Sequence, residues 1–379
     1  MESKKSQLAG IVGESNITNG PSELEAYSRD ESFATPVKPE AVVKPGNAQQ
    51  VRSIVNWANQ TRTPLIPVSS GPPHFHGDTV PSIDGAVMVD LCGLNRIVRV
   101  DRKNRMGLIE PGVTYSQLQP ELAKEGLRIS MPLLPRANKS VIASLLERQP
   151  TITPKYQWSL MEPLRCLEVV WGSGEVIWTG EAGTLPHSLD KQWEKGLVQV
   201  DPKGPFDTDW YRLVSGAQGS MGIVTWASVK CEILPKVHRG FFIPSTNIES
   251  LIDCAYALLR RRLGDEFLIL NSSELARILG TDAVETKALS AELPPWTIFI
   301  GIAGRDILPE ERVEVQVQDI KEITGQYNLQ LATEIAGIQG EKVLDILNKP
   351  SREASWKLGI KGGYQDIFFM TTLEKTPEF

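Results

Sequence analysis

Residues 63–77, TPLIPVSSGPPHFHG, concentrate the groups in this chain best suited to hold an anion through the backbone. An apolar, β-rich run from Pro64 to Val68 opens into Ser69, Ser70, Gly71, Pro72 and Pro73, then closes at Gly77 after His74, Phe75 and His76. Small residues at the end of a strand let N–H groups converge with no Cβ in the way, which binds phosphate oxygens without a lysine. The two prolines each remove a donor, and an ordinary surface loop has the same composition. Pro111-Gly112-Val113 is a second place of this kind. Gly112 falls between a strand and a helix start, where an anion or the edge of a flat ring is held.

The elements needed to position these groups are legible around them. Ala41–Val43 reads as a strand, Asn47 as a helix cap, and Val51, Ile54, Val55 and Ala58 as the buried stripe of the helix that follows. With the strand at 64–68 this makes a β-α-β unit ending at the loop. Three short strands follow at 86–91, 97–101 and 106–110, with hairpin turns expected at 93–95 and 102–104. Thr114 and Gln117 form a capping box, and Gly126 stops that helix. Residues 127–160 read as irregular, 164–171 and 175–178 as a hairpin, 180–208 as an excursion, and 223–234 as one long strand. After Arg239 the pattern changes to strands and amphipathic helices, with a linker expected at 281–293, a helix at 309–324 stopped by Gly325, and a last strand at 364–372. That alternation implies an antiparallel sheet covered on one face by helices.

Composition narrows the function classes. The chain has 379 residues, 41% hydrophobic and 23% charged, enough for more than one domain. A net charge of −6 without a basic block argues against nucleic acid. No apolar run is long enough for a membrane span, and the first residues lack the apolar core of a signal peptide, so a cytoplasmic location is expected. Cys92, Cys166, Cys231 and Cys254 lie far apart with no CxxC pair, which points to reduced thiols and to no structural metal.

The order of motifs resembles the FAD-dependent oxidoreductases of the vanillyl-alcohol oxidase / p-cresol methylhydroxylase superfamily over nearly the whole chain. VVKPGNAQQVRSIVNWANQ is similar to that family's opening strand and helix, and PVSSGPPHFHG stands at the place of its pyrophosphate loop. The stretch from Val87 to Leu127, SVIASLLERQPTITPKY, CLEVVWGSGEVIWTG and SGAQGSMGIVTWASVKCEILP resemble its later segments in order. The resemblance implies an α+β fold. A two-part FAD-binding domain over 1–236 is followed by a cap over 237–379, an antiparallel sheet covered by helices. Departures are Pro72 and Pro73 in place of loop glycines, His74 one residue away from the flavin-linking position, family glycines missing near Ala143 and Gln149, and no tyrosine at Lys155. Family members also continue beyond the point matching Phe379, so the chain is expected to be shortened at its C-terminus.

The resemblance further implies roles for particular residues. FAD needs backbone donors for its pyrophosphate, an apolar slot for its rings, and polar groups at the ring edges. Ser69, Ser70, Gly71, His74 and Gly77 would serve the first need, and Pro67 and Pro72 would also contact the cofactor. Pro111, Gly112 and Val113 with Ser140, Val141 and Ser144 would line the slot, and Ser220, Gly222, Ile223 and Val224 would meet the adenine or ribose. Arg148 would place a cation near the reducible ring edge, or else pair with Glu147 or Glu162. Tyr156 would face a small-molecule substrate, with Trp158 beside it, unless both only pack. The implied activity is hydride removal from a hydroxyaryl or hydroxy-acid carbon. Electrons would leave to O₂, a soluble carrier or a partner subunit, either a second polypeptide or a second copy of the chain. The alternative is a degenerate or partial flavoprotein subunit with a role in assembly.

Overall fold

The computed structural model describes residues 3–77, 79–154, 163–204, 210–351 and 371–378. The first layer holds α1 (Lys4–Val12), β1 (Ile17–Thr18), α2 (Pro21–Glu25), β2 (Ala41–Val43), α3 (Ala48–Thr61), β3 (Leu65–Val68) and β4 (Val87–Asp90). Asn47 caps α3 by accepting the Gln50 N–H, and Val51, Ile54, Val55 and Ala58 bury the helix against Val43, Val87 and Val89. The sheet order is β1-β2-β4-β3, with β4 parallel to both β2 and β3. The expected hairpin at 93–95 is therefore wrong. The strand before it pairs within this sheet, and the strand after it belongs to another.

The second layer holds β5 (Ile97–Asp101), β6 (Met106–Ile109), α4 (Tyr115–Lys124), β7 (Leu127–Arg128), α5 (Val141–Leu146), β8 (Leu164–Trp171), β9 (Val176–Trp178), α6 (Leu189–Glu194), α7 (Tyr211–Val214), β10 (Gly222–Lys230) and β11 (Glu232–Ile233). Its main sheet runs β5-β6-β10-β8-β9, antiparallel throughout. Thr114 and Gln117 make the expected capping box on α4. The strand expected at 223–234 is broken at Cys231, and its last residues leave the main sheet to pair with β7. α5, within a stretch read as irregular, buries Val141, Ile142 and Leu145 among Tyr115, Leu118 and Leu167.

The third layer holds β12 (Val237–Ser245), α8 (Ile248–Arg260), β13 (Phe267–Asn271), α9 (Ser272–Leu279), α10 (Ala283–Glu292), β14 (Trp296–Gly304), α11 (Pro309–Gln326), β15 (Glu334–Ile335), β16 (Ile338–Gln339) and α12 (Gly340–Leu347). β14 is the central strand, antiparallel to β12 and β13. The 281–293 linker is a helix, α10, and α11 continues through Gly325. Both faces of this sheet are covered, not one. Phe241, Ile243, Ile298 and Ile300 pack on α8 and α11, whereas Phe242 and Phe299 pack with α9, α12 and, from the second layer, Leu134 and Ile152. The strand expected at 364–372 falls almost wholly outside the described residues.

A buried ionic cluster stitches the second and third layers together. The Arg128 guanidinium, 8% exposed, meets Glu266 at 2.9 Å and Glu232 at 3.5 Å. Glu266 also bonds the His238 ring at 2.7 Å, and Arg305 bridges Glu232 and Asp265 at 3.2 and 2.6 Å. Burial alone would raise the Glu266 carboxyl. His238 and Arg128 overcome it and hold the group down at about 2.

Candidate functional site

Segments far apart in sequence meet at one open cleft of ≈ 720 Å³, solvent space at its mouth included. Pro67 and Ser69 enter at the carboxyl end of β3, and Leu91 just beyond β4. Pro111 comes from the turn after β6, Ile142, Ala143, Leu146 and Glu147 from α5 and its C-terminal cap, and Val214 from α7. Gln218, Gly219, Gly222, Ile223 and Val224 arrive from the turn into β10. The cleft thus lies at the carboxyl ends of parallel strands, where α/β sheets hold their ligands. Gly219 is required where it stands, because its φ is +78° and a Cβ would sit 2.7 Å from Pro67 Cγ, inside the cleft's own wall.

Ser140 is what brings these segments into register. Fully buried, it caps α5 by accepting the Ala143 N–H at 3.0 Å, and its hydroxyl donates to the Pro111 carbonyl at 2.5 Å. Its own N–H donates to Ser70 Oγ at 3.0 Å. One residue therefore fixes the ends of two strands against the first turn of a helix.

The residues expected from the sequence divide into three groups. Pro67, Ser69, Pro111, Gly222, Ile223 and Val224 line the cleft. Ser70, Gly112, Val113, Ser140, Val141 and Ser144 stand behind its wall. Gly112 packs on the backbone between Leu91 and Cys92, where a Cβ would lie 2.5 Å from the Cys92 carbonyl, and its N–H donates to Leu94 O at 2.7 Å. The Val113 carbonyl accepts the Val141 N–H at 2.9 Å, and Ser144 Oγ donates to Gln149 Oε1 at 2.7 Å. The remaining loop residues are turned to internal partners. The Gly71 N–H donates to Asn138 O at 3.2 Å, Pro72 O accepts from Asn138 Nδ2 at 2.6 Å, and His74 O accepts the Glu31 N–H at 2.9 Å. The Gly77 N–H donates to the Asp30 carboxylate at 2.7 Å. Gly71 and Gly77 hence do not offer the phosphate donors expected of them. Ser220 is exposed, its hydroxyl on the Ala217 carbonyl at 2.6 Å.

Glu147 is the charged residue that sequence reasoning missed as a cleft group. From the sequence it stands only as a partner for Arg148; its carboxylate instead pairs with the buried Lys139 at 2.5 Å and accepts from Gln149 at 2.9 Å. Reading α5 as a helix would have shown that Glu147 lies one turn beyond Ala143, on the same side. Arg148 is exposed, in a left-handed conformation with φ +56° just past the helix end. Tyr156, Trp158 and Glu162 lie outside the described residues.

Residues 39–180 match the family model described as an FAD binding domain. Over 233 residues the chain is 27% identical to 1'-carboxy-chondrochloren decarboxylase of Chondromyces crocatus, covering 61% of this chain and 40% of that protein. It is also 27% identical over 184 residues to the 4-cresol dehydrogenase [hydroxylating] flavoprotein subunit of Pseudomonas putida, covering 47% of this chain and 34% of that one. This chain thus spans less than half the length of those two relatives. Among solved structures it superposes on p-cresol methylhydroxylase with substrate bound at a TM-score of 0.76, with 19% identity over 95% of this chain and 71% of the other. The fold is of that type, an α+β flavoprotein architecture, and the matching domain makes FAD its cofactor. No helix among the described residues is long and apolar enough to cross a membrane.

Proposed function

We propose that this chain, an FAD-binding protein with the fold of p-cresol methylhydroxylase, is the flavin-carrying part of an oxidoreductase acting on a hydroxyaryl or hydroxy-acid substrate. The observation that carries the reading is the convergence of Pro67, Ser69 and Pro111 with one face of α5 and its cap (Ile142, Ala143, Leu146, Glu147) and with Gly219, Gly222, Ile223 and Val224 on one cleft at parallel strand ends. The lining suits a flat ring system. Apolar side chains from α5 and β10 form the wall, Ser69 and Gln218 add polar groups to its lining, and glycine at 219 lets its turn pack close on Pro67. Bound there, FAD supplies a two-electron acceptor for hydride from a carbon activated by oxygen.

The chain's own residues would supply the setting for that transfer. Ser140 holds the cleft's segments together, and the apolar wall excludes water from the ring. Glu147 presents a carboxylate braced by Lys139, a group able to accept a proton from a hydroxyl brought within reach. Arg148, next in sequence, would place its charge at the cleft mouth, and Tyr156 would face substrate. Residues 237–379 would form the cap over the site. Likeness to a protein named as a flavoprotein subunit supports assembly with a second polypeptide, and co-purification of the native protein tests that.

The decisive experiment is the spectrum of purified protein. A flavin band bleached anaerobically by a phenol or a 2-hydroxy acid supports the reading, and protein that takes up no FAD refutes it. A second reading, a degenerate subunit used for assembly, is favoured by the internal commitment of the Gly71 and Gly77 amides. Stoichiometric FAD on the chain expressed alone would remove it.

A further inference from the structure

A phosphate loop rich in glycine takes its shape from backbone freedom; residues 69–77 contain two prolines and only two glycines. Their shape is held from outside, by residues 136–140. Arg136 Nη1 donates to the Gly71 carbonyl at 2.9 Å and to Asn138 Oδ1 at 2.9 Å. Asn138 Nδ2 in turn donates to the Pro72 carbonyl at 2.6 Å, while the Asn138 carbonyl receives the Gly71 N–H. The guanidinium also stands 5.4 Å from the centre of the buried Phe75 ring, a cation–π distance. Among the described residues no carboxylate lies within ion-pair distance of Arg136; the Glu147 carboxylate acts on its charge from farther off, and the Arg136 Nη1 hydrogen bonds go to Gly71 and Asn138.

The same strap reaches the third layer. The Ala137 N–H donates to Ser351 O at 3.0 Å and the Ser351 N–H to Pro135 O at 2.8 Å, just past the end of α12. We propose that Arg136 and Asn138 are the positioning residues of the cofactor loop, holding residues 70–72 so that Ser69, which lines the cleft, is set in place for FAD. This rests on the reading that the cleft holds FAD.

The test uses the full chain carrying Arg136→Met, Arg136→Lys or Asn138→Ala. It reads FAD affinity by flavin fluorescence and amide hydrogen exchange over residues 69–75 in the apoprotein. Loss of a charge-assisted bond predicts FAD binding weakened by about tenfold to a hundredfold in Arg136→Met. Arg136→Lys, which keeps one donor but not the fork, should recover part of that loss, and exchange over 69–75 should rise in Arg136→Met while that of β10 stays as in the parent. Asn138 is exposed, so Asn138→Ala is the variant least able to disturb folding, and it should weaken FAD in the same direction. Parental exchange over 69–75 in both Arg136→Met and Asn138→Ala would overturn the proposal whether or not FAD binds. So would parental FAD affinity in those variants. A parent chain that takes up no FAD while the loop still loosens in the variants would instead overturn the functional reading and, with it, the loop's assigned purpose.

Discussion

Replacing Glu266 by glutamine should cost the chain about 3 kcal/mol at neutral pH, most of it from the seam between the second and third layers. The carboxylate is 1% exposed, with Arg128 Nη1 at 2.9 Å and the His238 ring at 2.7 Å. Removing its charge leaves the buried Arg128 facing Glu232 at 3.5 Å and the Asn348 side-chain Oδ1 at 3.1 Å. Breaking a buried pair from one side costs about 3–5 kcal/mol, and glutamine keeps part of the hydrogen bonding. The same two contacts displace the carboxyl from 4.5 to about 2, which at 1.36 kcal/mol per pH unit is about 3 kcal/mol. The sign follows from linkage. A carboxyl whose folded pKa is depressed contributes in full above 4.5 and loses that contribution as pH falls toward 2. Urea unfolding of both proteins at pH 7, 5 and 3 should show a gap of about 3 kcal/mol that persists at pH 5 and narrows at pH 3. A gap below about 1 kcal/mol at pH 7, or one that stays constant into acid, would refute the reasoning.

Three other outcomes follow from the geometry. Gly219→Ala puts a Cβ against Pro67 in a left-handed backbone, so FAD affinity should fall and stability drop by about 1–2 kcal/mol; unchanged flavin content in the purified variant would contradict this. Asp201, buried, is raised to about 7 by that burial and by the neighbouring Asp101 carboxyl, against the pull of the Arg99 guanidinium 3.1 Å from its Oδ2, and its Oδ1 has no hydrogen-bond partner among the described residues. The folded chain then holds a proton that the unfolded chain releases near pH 4, so stability falls as pH rises from 4 to 7, and Asp201→Asn should flatten the melting temperature across that window. Ser140→Ala removes a helix cap and the tie to Pro111, and should cost about 1–2 kcal/mol together with FAD retention, checked by thermal melting with and without added flavin.

What was legible in the sequence was whatever local chemistry decides. Asn47 and the Thr114–Gln117 box cap helices because their side chains reach amides three residues on, and the stripe of α3 packs as its spacing says. α10 was hidden because none of its described residues is buried, so it shows no apolar stripe to read, only the Asp282 cap. α5 was hidden by its length, six residues among prolines and polar groups. The turn at 93–95 failed for another reason. β4 chooses parallel partners on β2 and β3, a choice made by packing across the chain and not by the residues next to it. Likewise the cleft's Pro67, Pro111 and Gly222 were found through motif order, but nothing local shows that Gly71 turns its amide to Asn138.

The two-sided burial of the third sheet bears on how the chain can be cut. A fragment ending near residue 236 would leave Leu134 and Ile152 facing water, and Arg128 with Glu232 but without Glu266. A fragment beginning there would bare Phe242 and Phe299, an apolar face made for another layer and prone to stick to its own copies. The change of sheet at Val237 marks where the chain's path turns, and an expression boundary placed there would separate two halves of one cohesive unit.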